Sequence, residues 1–176
     1  MNTLSLRITN YALQFLALTI AFSTLSSCGI YNFTGANIPP EIKTVSVDNF
    51  INETGLGPPR LPQNFSEKLR DYMQSNSTLR GVRKDGDLQF EGSIIGYTIS
   101  PIGPTAQELA SRNRLTITIK VKFINTVKEK ESFEQPFNFY FDYPQSQSLT
   151  QVEDEAIETI TNQIVFDIFN KALSNW

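Results

Sequence analysis

The chain has 176 residues, a formal net charge of −3 and no histidine. That length suits one domain behind a leader segment, and the slight acidic excess excludes a surface built to neutralise nucleic-acid phosphates. Without histidine, Ser-His-Asp and Cys-His catalysis and every His-dependent metal site are excluded. A single cysteine allows no intrachain disulfide. The sequence contains no Gly-rich phosphate loop and no internal repeat.

The N-terminus opens with one positive charge, Arg7, followed by an apolar run from Tyr11 to Leu25. A membrane-spanning helix needs about 20 apolar residues. This run is shorter and matches the apolar core of a secretory signal peptide; a buried helix of the mature domain is the alternative. Leu25-Ser26-Ser27-Cys28 resembles a bacterial lipobox. In signals of that kind the cysteine is thioether-linked to diacylglycerol, cleavage falls just before it, and the freed amine receives a further acyl chain, commonly palmitate. Cys28 is therefore the expected lipidation site, against the plainer reading of a small buried hydrophobe. One acyl chain gives only marginal membrane binding at about 0.8 kcal/mol per CH₂, whereas two or three would anchor the chain permanently. Gly29, in place of Asp, resembles the sorting signal for the outer membrane rather than the inner. The expected organisation is a signal peptide over 1–27, a lipidated cysteine and tether over 28–40, and one α+β domain over 41–176.

In chain order, Glu41–Phe50 reads as a strand with Val45 and Val47 on one face and Thr44, Ser46 and Asp48 on the other. Residues 51–61 read as a loop. Pro62–Ser77 predicts a helix, with Leu61, Phe65, Leu69 and Met73 at four-residue spacing, Tyr72 widening the stripe, a capping box at Asn64 and Glu67, and Gly81 just past its end. Asp87–Ser100 predicts a strand in which Leu88, Phe90 and Ile94 alternate before parity shifts to Ile95, Tyr97 and Ile99. Gly96 sits at the shift, so a bulge is expected there. Pro101–Gln107 reads as a loop. Arg112–Thr126 is the clearest strand: Leu115, Ile117, Ile119, Val121 and Phe123 alternate with Thr116, Thr118, Lys120 and Lys122. After a turn at 127–131, Phe133–Tyr143 predicts a strand with Phe133, Phe137, Phe139, Phe141 and Tyr143 inward. Pro136 cannot donate to a ladder and makes it an edge strand or a bulged one. Leu149–Leu173 predicts a long helix, capped by Thr150 and Glu153, with an apolar stripe of Ile157, Ile160, Ile164 and Ile168 widened by Val165, Phe169 and Leu173.

This order predicts an α+β fold, two amphipathic helices packed on one face of a roughly four-stranded, mostly antiparallel sheet. The opposite face carries Thr, Lys and Glu and is expected to be solvated or bound to something.

The stretches CGIYNFTGANIPPEIKTVSV (28–47), FSEKLRDYM (65–73), GDLQFEGSIIGY (86–97) and NRLTITIKVKF (113–123), with the acidic, Ile-rich closing helix and Asn175-Trp176, resemble the lipopolysaccharide-assembly lipoprotein family, LptE. The resemblance covers nearly the whole mature chain. It implies a non-catalytic, lipid-anchored protein on the periplasmic face of the outer membrane, with no cofactor. Such a protein sits inside the LptD β-barrel, plugs it, helps it assemble and assists insertion of lipopolysaccharide into the outer leaflet. The alternative is a non-catalytic envelope lipoprotein scaffold that binds other envelope proteins or glycans.

Several residues are candidates for these contacts. Arg112, Arg114, Lys120, Lys122, Lys128 and Lys130 lie on the wet face and ends of the central hairpin. They form either a basic strip for lipopolysaccharide phosphates or a solvated, solubilised strand face; Glu129, Glu131 and Glu134 are interleaved with them. Tyr140 falls on the polar-parity face, where it either packs on a barrel wall or is a lone exposed aromatic. Residues 52–62 are a plain connection or a partner-binding loop. Glu153, Asp154, Glu155 and Glu158 lie in the first turns of a helix, where the dipole favours negative charge, and are read as that rather than as a metal site.

Overall fold

The computed structural model describes residues 38–103 and 111–173. In chain order these form β1 (Thr44–Val47), β2 (Ile51–Asn52), α1 (Leu61–Ser75), β3 (Arg80–Val82), β4 (Leu88–Ile102), β5 (Arg112–Asn125), a 3-10 turn (Glu129–Glu131), β6 (Phe133–Pro144) and α2 (Leu149–Leu173). The expected signal peptide, Cys28, the expected tether before Ile38 and the closing Asn175-Trp176 lie outside the described residues.

The α+β class and the two helices on one face hold. The sheet is larger and more mixed than a roughly four-stranded antiparallel one: it has six strands in the order β3-β1-β4-β5-β6, with β2 also pairing β4. β1 runs parallel to β3 and β4, and β2 parallel to β4; β4, β5 and β6 form an antiparallel meander. β2 and β3 have two and three residues, too few to show a period of two. The expected 41–50 strand is interrupted because the chain dives at Phe50. Its amide donates to Ser66 Oγ on α1 at 2.9 Å, and its ring packs edge-on against Phe65 with centroids 5.0 Å apart.

The core is the inner face of the sheet with the helices laid over it. Val45, Val47, Leu88, Phe90, Ile94, Leu115, Ile117, Ile119, Val121 and Phe123 are buried there, under Leu61, Phe65, Leu69 and Met73 of α1 and Ile160, Ile164, Val165 and Ile168 of α2. Four-residue spacing keeps each helical set on one face. The register makes a continuous apolar row, with Ile119 beside Ile94 on one side and Phe137 on the other. Gly92 interrupts the inward parity of β4 because the Phe50 ring occupies that space. A β-carbon there would stand 2.8 Å from Phe50 Cε1 and overlap the Lys120 carbonyl.

Three local expectations are corrected. The helix at 61–75 begins one residue before Pro62, with Arg60 at the cap and no side-chain cap bond, so Asn64 is interior and forms no capping box with Glu67; Gly81 lies in β3 rather than terminating the helix. At α2 the N-terminal cap contact is made by Gln151, whose Oε1 accepts from the Ser148 amide at 2.9 Å. Ser-x-x-Gln has the same spacing two residues upstream of the Thr150–Glu153 pair. That frees Glu153 to accept a 2.6 Å hydrogen bond from the Tyr97 hydroxyl on β4. Burial, then Glu153, raises the Tyr97 pKa. Finally, β4 continues to Ile102 rather than entering a loop at Pro101.

The bulge is where Gly96 marks it: the ladder shifts between Ile94 and Gly96. Ile95 is the extra residue. It is 41% exposed rather than part of the inward set with Tyr97, and Ile99 is 48% exposed. β6 is the edge strand that Pro136 requires.

A five-residue passage joins β3 to β4 although both lie parallel to β1 on its opposite sides. It must cross β1, and Gly86 is the crossing point. A β-carbon there would meet the Ser46 backbone nitrogen at 2.6 Å. The Gly86 amide donates to Ser46 Oγ at 3.2 Å, which is why Ser46, on the outer face, is buried. Asp87 fastens the crossing: its Oδ2 accepts from the amides of Lys43 (2.8 Å) and Thr44 (2.9 Å) and from Thr44 Oγ1 (2.9 Å). The Lys43 amide, then the Thr44 hydroxyl, hold its carboxyl below the ordinary value of 3.8.

Candidate functional site: the open face of the sheet

Side chains alternate across a strand, so each inward apolar residue of β4, β5 and β6 leaves a polar neighbour facing out. The outward rows are set by register. Lys122 lies between Glu91 and Glu134, Lys120 between Ser93 and Pro136, Thr116 between Thr98 and Tyr140, and Arg114 between Ser100 and Asp142. Neither helix covers this face of the meander.

The face is charged and internally paired. Lys122 bridges Glu91, and Lys120 bridges Glu134 at 2.5 Å. Arg114 grips Asp142 with two parallel bonds, Nε to Oδ1 at 2.6 Å and Nη2 to Oδ2 at 2.8 Å. Its guanidinium also lies 3.6 Å from the centroid of the Tyr140 ring. The hydrogen bonds from these partners raise the pKa of Arg114, Lys120 and Lys122 and lower those of Glu134 and Asp142. All five therefore stay ionised at neutral pH. The field nearly cancels locally, which leaves geometric patterning rather than net attraction.

The structure brings Arg112, Arg114, Lys120, Lys122 and Tyr140 onto one surface. Arg112 sits at its end, where Nη2 donates to the Asp142 carbonyl at 3.1 Å. Lys128 and Lys130 lie on the turn between β5 and β6. Asn125 shapes that turn by accepting from the amides of Val127 and Lys128, and Lys128 pairs with Glu131 at 3.5 Å. Sequence reasoning missed two members of the surface. Ile95 is turned outward by the bulge that Gly96 announces, and Asp142 orients Arg114 over Tyr140 through a cross-strand pairing that no local spacing encodes. Tyr140 remains 44% exposed beneath the guanidinium.

Among the described residues, no group of three or more His, Cys, Asp or Glu is placed to hold a metal, and no helix is long and apolar enough to cross a membrane. At the acidic start of α2, Glu153 accepts from the Tyr97 hydroxyl.

The sheet thus has one face covered by the helices and one open face that is polar and internally paired. The chain matches the family model for lipopolysaccharide assembly, LptE, over residues 42–172, and it belongs to that family. The family's members are non-catalytic lipoproteins of lipopolysaccharide transport in the bacterial envelope. No curated protein matches the chain. Among solved structures it is similar to a minor lipoprotein from Acinetobacter baumannii, at 11% identity and a TM-score of 0.49, covering 74% of this chain and 92% of that one. It is also similar to lipoprotein B from Nitrosomonas europaea, at 10% identity and a TM-score of 0.45, covering 72% of this chain and 79% of that one.

Proposed function

We propose that this chain is the lipoprotein partner of the LptD outer-membrane β-barrel, acting as its plug and assembly factor while lipopolysaccharide is delivered to the outer leaflet. The family match over residues 42–172 is the observation that carries the reading. On it, residues 1–27 are removed as a signal peptide, and Cys28 carries the lipid that holds residues 41–176 at the periplasmic face of the outer membrane. The open face of the meander is the barrel-facing surface. Ile95 and Tyr140 supply exposed apolar contact area, and aromatics are enriched where proteins meet. The pairing of Lys120, Lys122 and Arg114 lets that face be buried without stranding a lone charge. Arg112, Arg114, Lys120, Lys122, Lys128 and Lys130 are the proposed contacts to lipopolysaccharide phosphates, which would exchange with the present carboxylate partners.

Purification of the tagged native protein in mild detergent, with mass spectrometry of what co-elutes, tests this. A near-stoichiometric large β-barrel is expected. Elution of the lipoprotein alone would refute the barrel partnership and favour the scaffold reading.

A further inference from the structure

β6 closes the sheet on one side, and among the described residues no strand pairs with its outer edge. The backbone groups on that edge follow from the ladder. In an antiparallel pair, residues that exchange both backbone bonds alternate with residues whose amide and carbonyl point away. The Gln145 amide donates to the Ser111 carbonyl at 3.2 Å. From there the register steps in twos through Tyr143 and Asn113, Phe141 and Leu115, Phe139 and Ile117. The odd-numbered residues of β6 therefore bond β5. The even-numbered ones, Glu134, Pro136, Asn138, Tyr140, Asp142 and Pro144, turn their backbone groups to the free edge. The far side of β5 agrees, since the Thr126 amide donates to the Asp87 carbonyl, which gives the even-numbered residues of β5 to β4.

Long free edges invite pairing with other chains and are commonly blunted by proline. Here the blunting is uneven. Pro136 and Pro144 have no N–H to offer. The Pro144 carbonyl accepts from the Gln147 amide at 3.0 Å, and the Asp142 carbonyl accepts from Arg112 Nη2 at 3.1 Å. Between these positions, Asn138 and Tyr140 keep both a backbone donor and a backbone acceptor without a partner among the described residues. The Asp142 amide and the Pro136 carbonyl stand open beside them.

We propose that this window pairs with the same window of a second copy of the chain, antiparallel, with Phe139 opposite its own counterpart. That register sets Asn138 opposite Tyr140 of the second copy, so each amide meets the other's carbonyl. It also sets Asp142 opposite Pro136. The Asp142 amide then donates to the Pro136 carbonyl, and the donor that proline lacks leaves no orphan, because the Asp142 carbonyl already holds Arg112. Neighbouring registers lose this match. Centred on Asn138, the pair sets the open Tyr140 carbonyl against Pro136; centred on Tyr140, it sets Pro136 against Pro144, with no donor on either side. No charge opposes a charge across the seam, where like charges would be unfavourable: Asp142 meets Pro136 and Glu134 meets Pro144.

The side chains fit the same two-fold axis, which stands perpendicular to the sheet and keeps the helices of both copies on one side. Phe139 and Phe141 are only half-buried on the inner face. The seam lays Phe139 on its counterpart and Phe141 on the second copy's Phe137, and so covers both. Neighbours along a strand point to opposite faces, yet the rings of Phe139 and Tyr140 stack with centroids 5.5 Å apart. Both therefore lean round the free edge in the single chain, and on pairing they swing back to their own faces. The pairing uses the edge of β6 and not the open face, so it does not rest on the barrel partnership.

Cysteine crosslinking of the full chain in its membrane tests this, read by non-reducing electrophoresis and mass spectrometry. Opposed residues that exchange no backbone bonds have Cα atoms about 4.5 Å apart, within disulfide reach. Phe139→Cys is expected to give a disulfide-linked dimer of this chain under mild oxidation. Glu134→Cys, exposed on the same edge but opposite Pro144, is expected to give no more than the parent chain does through Cys28. Adding Asn138→Pro to Phe139→Cys should cut the crosslink at least about tenfold, because it removes a window donor that β5 does not use. Adding Asn138→Ala, which keeps that donor, should leave the crosslink in place. Absence of the Phe139→Cys dimer, an equal yield from Glu134→Cys, or a yield that Asn138→Pro leaves unchanged would overturn the proposal. A Phe139→Cys disulfide to a different protein in place of a second copy would overturn it too.

Discussion

Along β5 the residues Leu115, Ile117, Ile119, Val121 and Phe123 are buried against two helices, while Thr116, Thr118, Lys120 and Lys122 between them face outward. The two faces share one backbone and one register, yet they are held by different physics. The inner face gains from apolar area removed from water, about 25 cal/mol per Å², and tolerates no charge. The outer face gains little from its ion pairs, which are screened, and keeps a pattern that another surface can meet. On the proposed reading, the comparison teaches that stability and recognition are separated here by the parity of a strand. A substitution's parity should therefore decide which of the two it damages.

The largest expected effect is on the inner face. Ile119→Asp puts a carboxylate into a fully apolar row between Ile94 and Phe137 and should cost about 3–5 kcal/mol, a large part of the about 5–15 kcal/mol that holds a domain folded. Chemical denaturation measures this, and an unchanged midpoint would break the assignment of faces. Gly92→Ala should cost about 1–3 kcal/mol by overpacking, since the new methyl meets the Phe50 ring and the Lys120 carbonyl. A neutral result would mean Phe50 does not lie over β4.

Smaller effects sharpen the comparison on the outer side. Asp87 has a lowered pKa in the folded chain, so its contribution is present above the ordinary value of 3.8 and is lost as pH falls through the lower folded value. Asp87→Asn should flatten the slope of stability against pH in that acid range and leave the slope at neutral pH alone. A wild-type acid slope in the variant would contradict the staple across β1. The smallest effect on stability is expected at Arg114→Gln, whose loss unpairs a surface carboxylate and uncovers Tyr140. The melting temperature should stay put while partner binding weakens.

Much of this was legible from periodicity. The bounds of α2, the inward set of β5, the bulge at Gly96 and the edge position forced by Pro136 follow from local spacing and local chemistry. What was hidden depends on partners distant in sequence. β2 and β3 are too short to carry a pattern and exist because β1 and β4 offer them edges. Their parallel pairing requires the passage over β1, and the bonds that secure it join Asp87 to residues more than forty positions earlier. The cap contact of Gln151 on the Ser148 amide was within reach, since Gln151 stands three residues on; Thr150 and Glu153 have the same spacing, and tertiary demand for Glu153 at Tyr97 decides between them. The charges of the open face were visible as residues. Their pairing was not, because it needs the cross-strand register.

The most direct measurement is photocrosslinking in cells from two positions, with a probe replacing half-buried Thr118 at the centre of the open face or exposed Asp71 on the outer side of α1. The Thr118 probe is expected to capture the β-barrel and the Asp71 probe to capture markedly less of it. Capture from Asp71 with none from Thr118 would contradict the assignment of the open face as the docking surface.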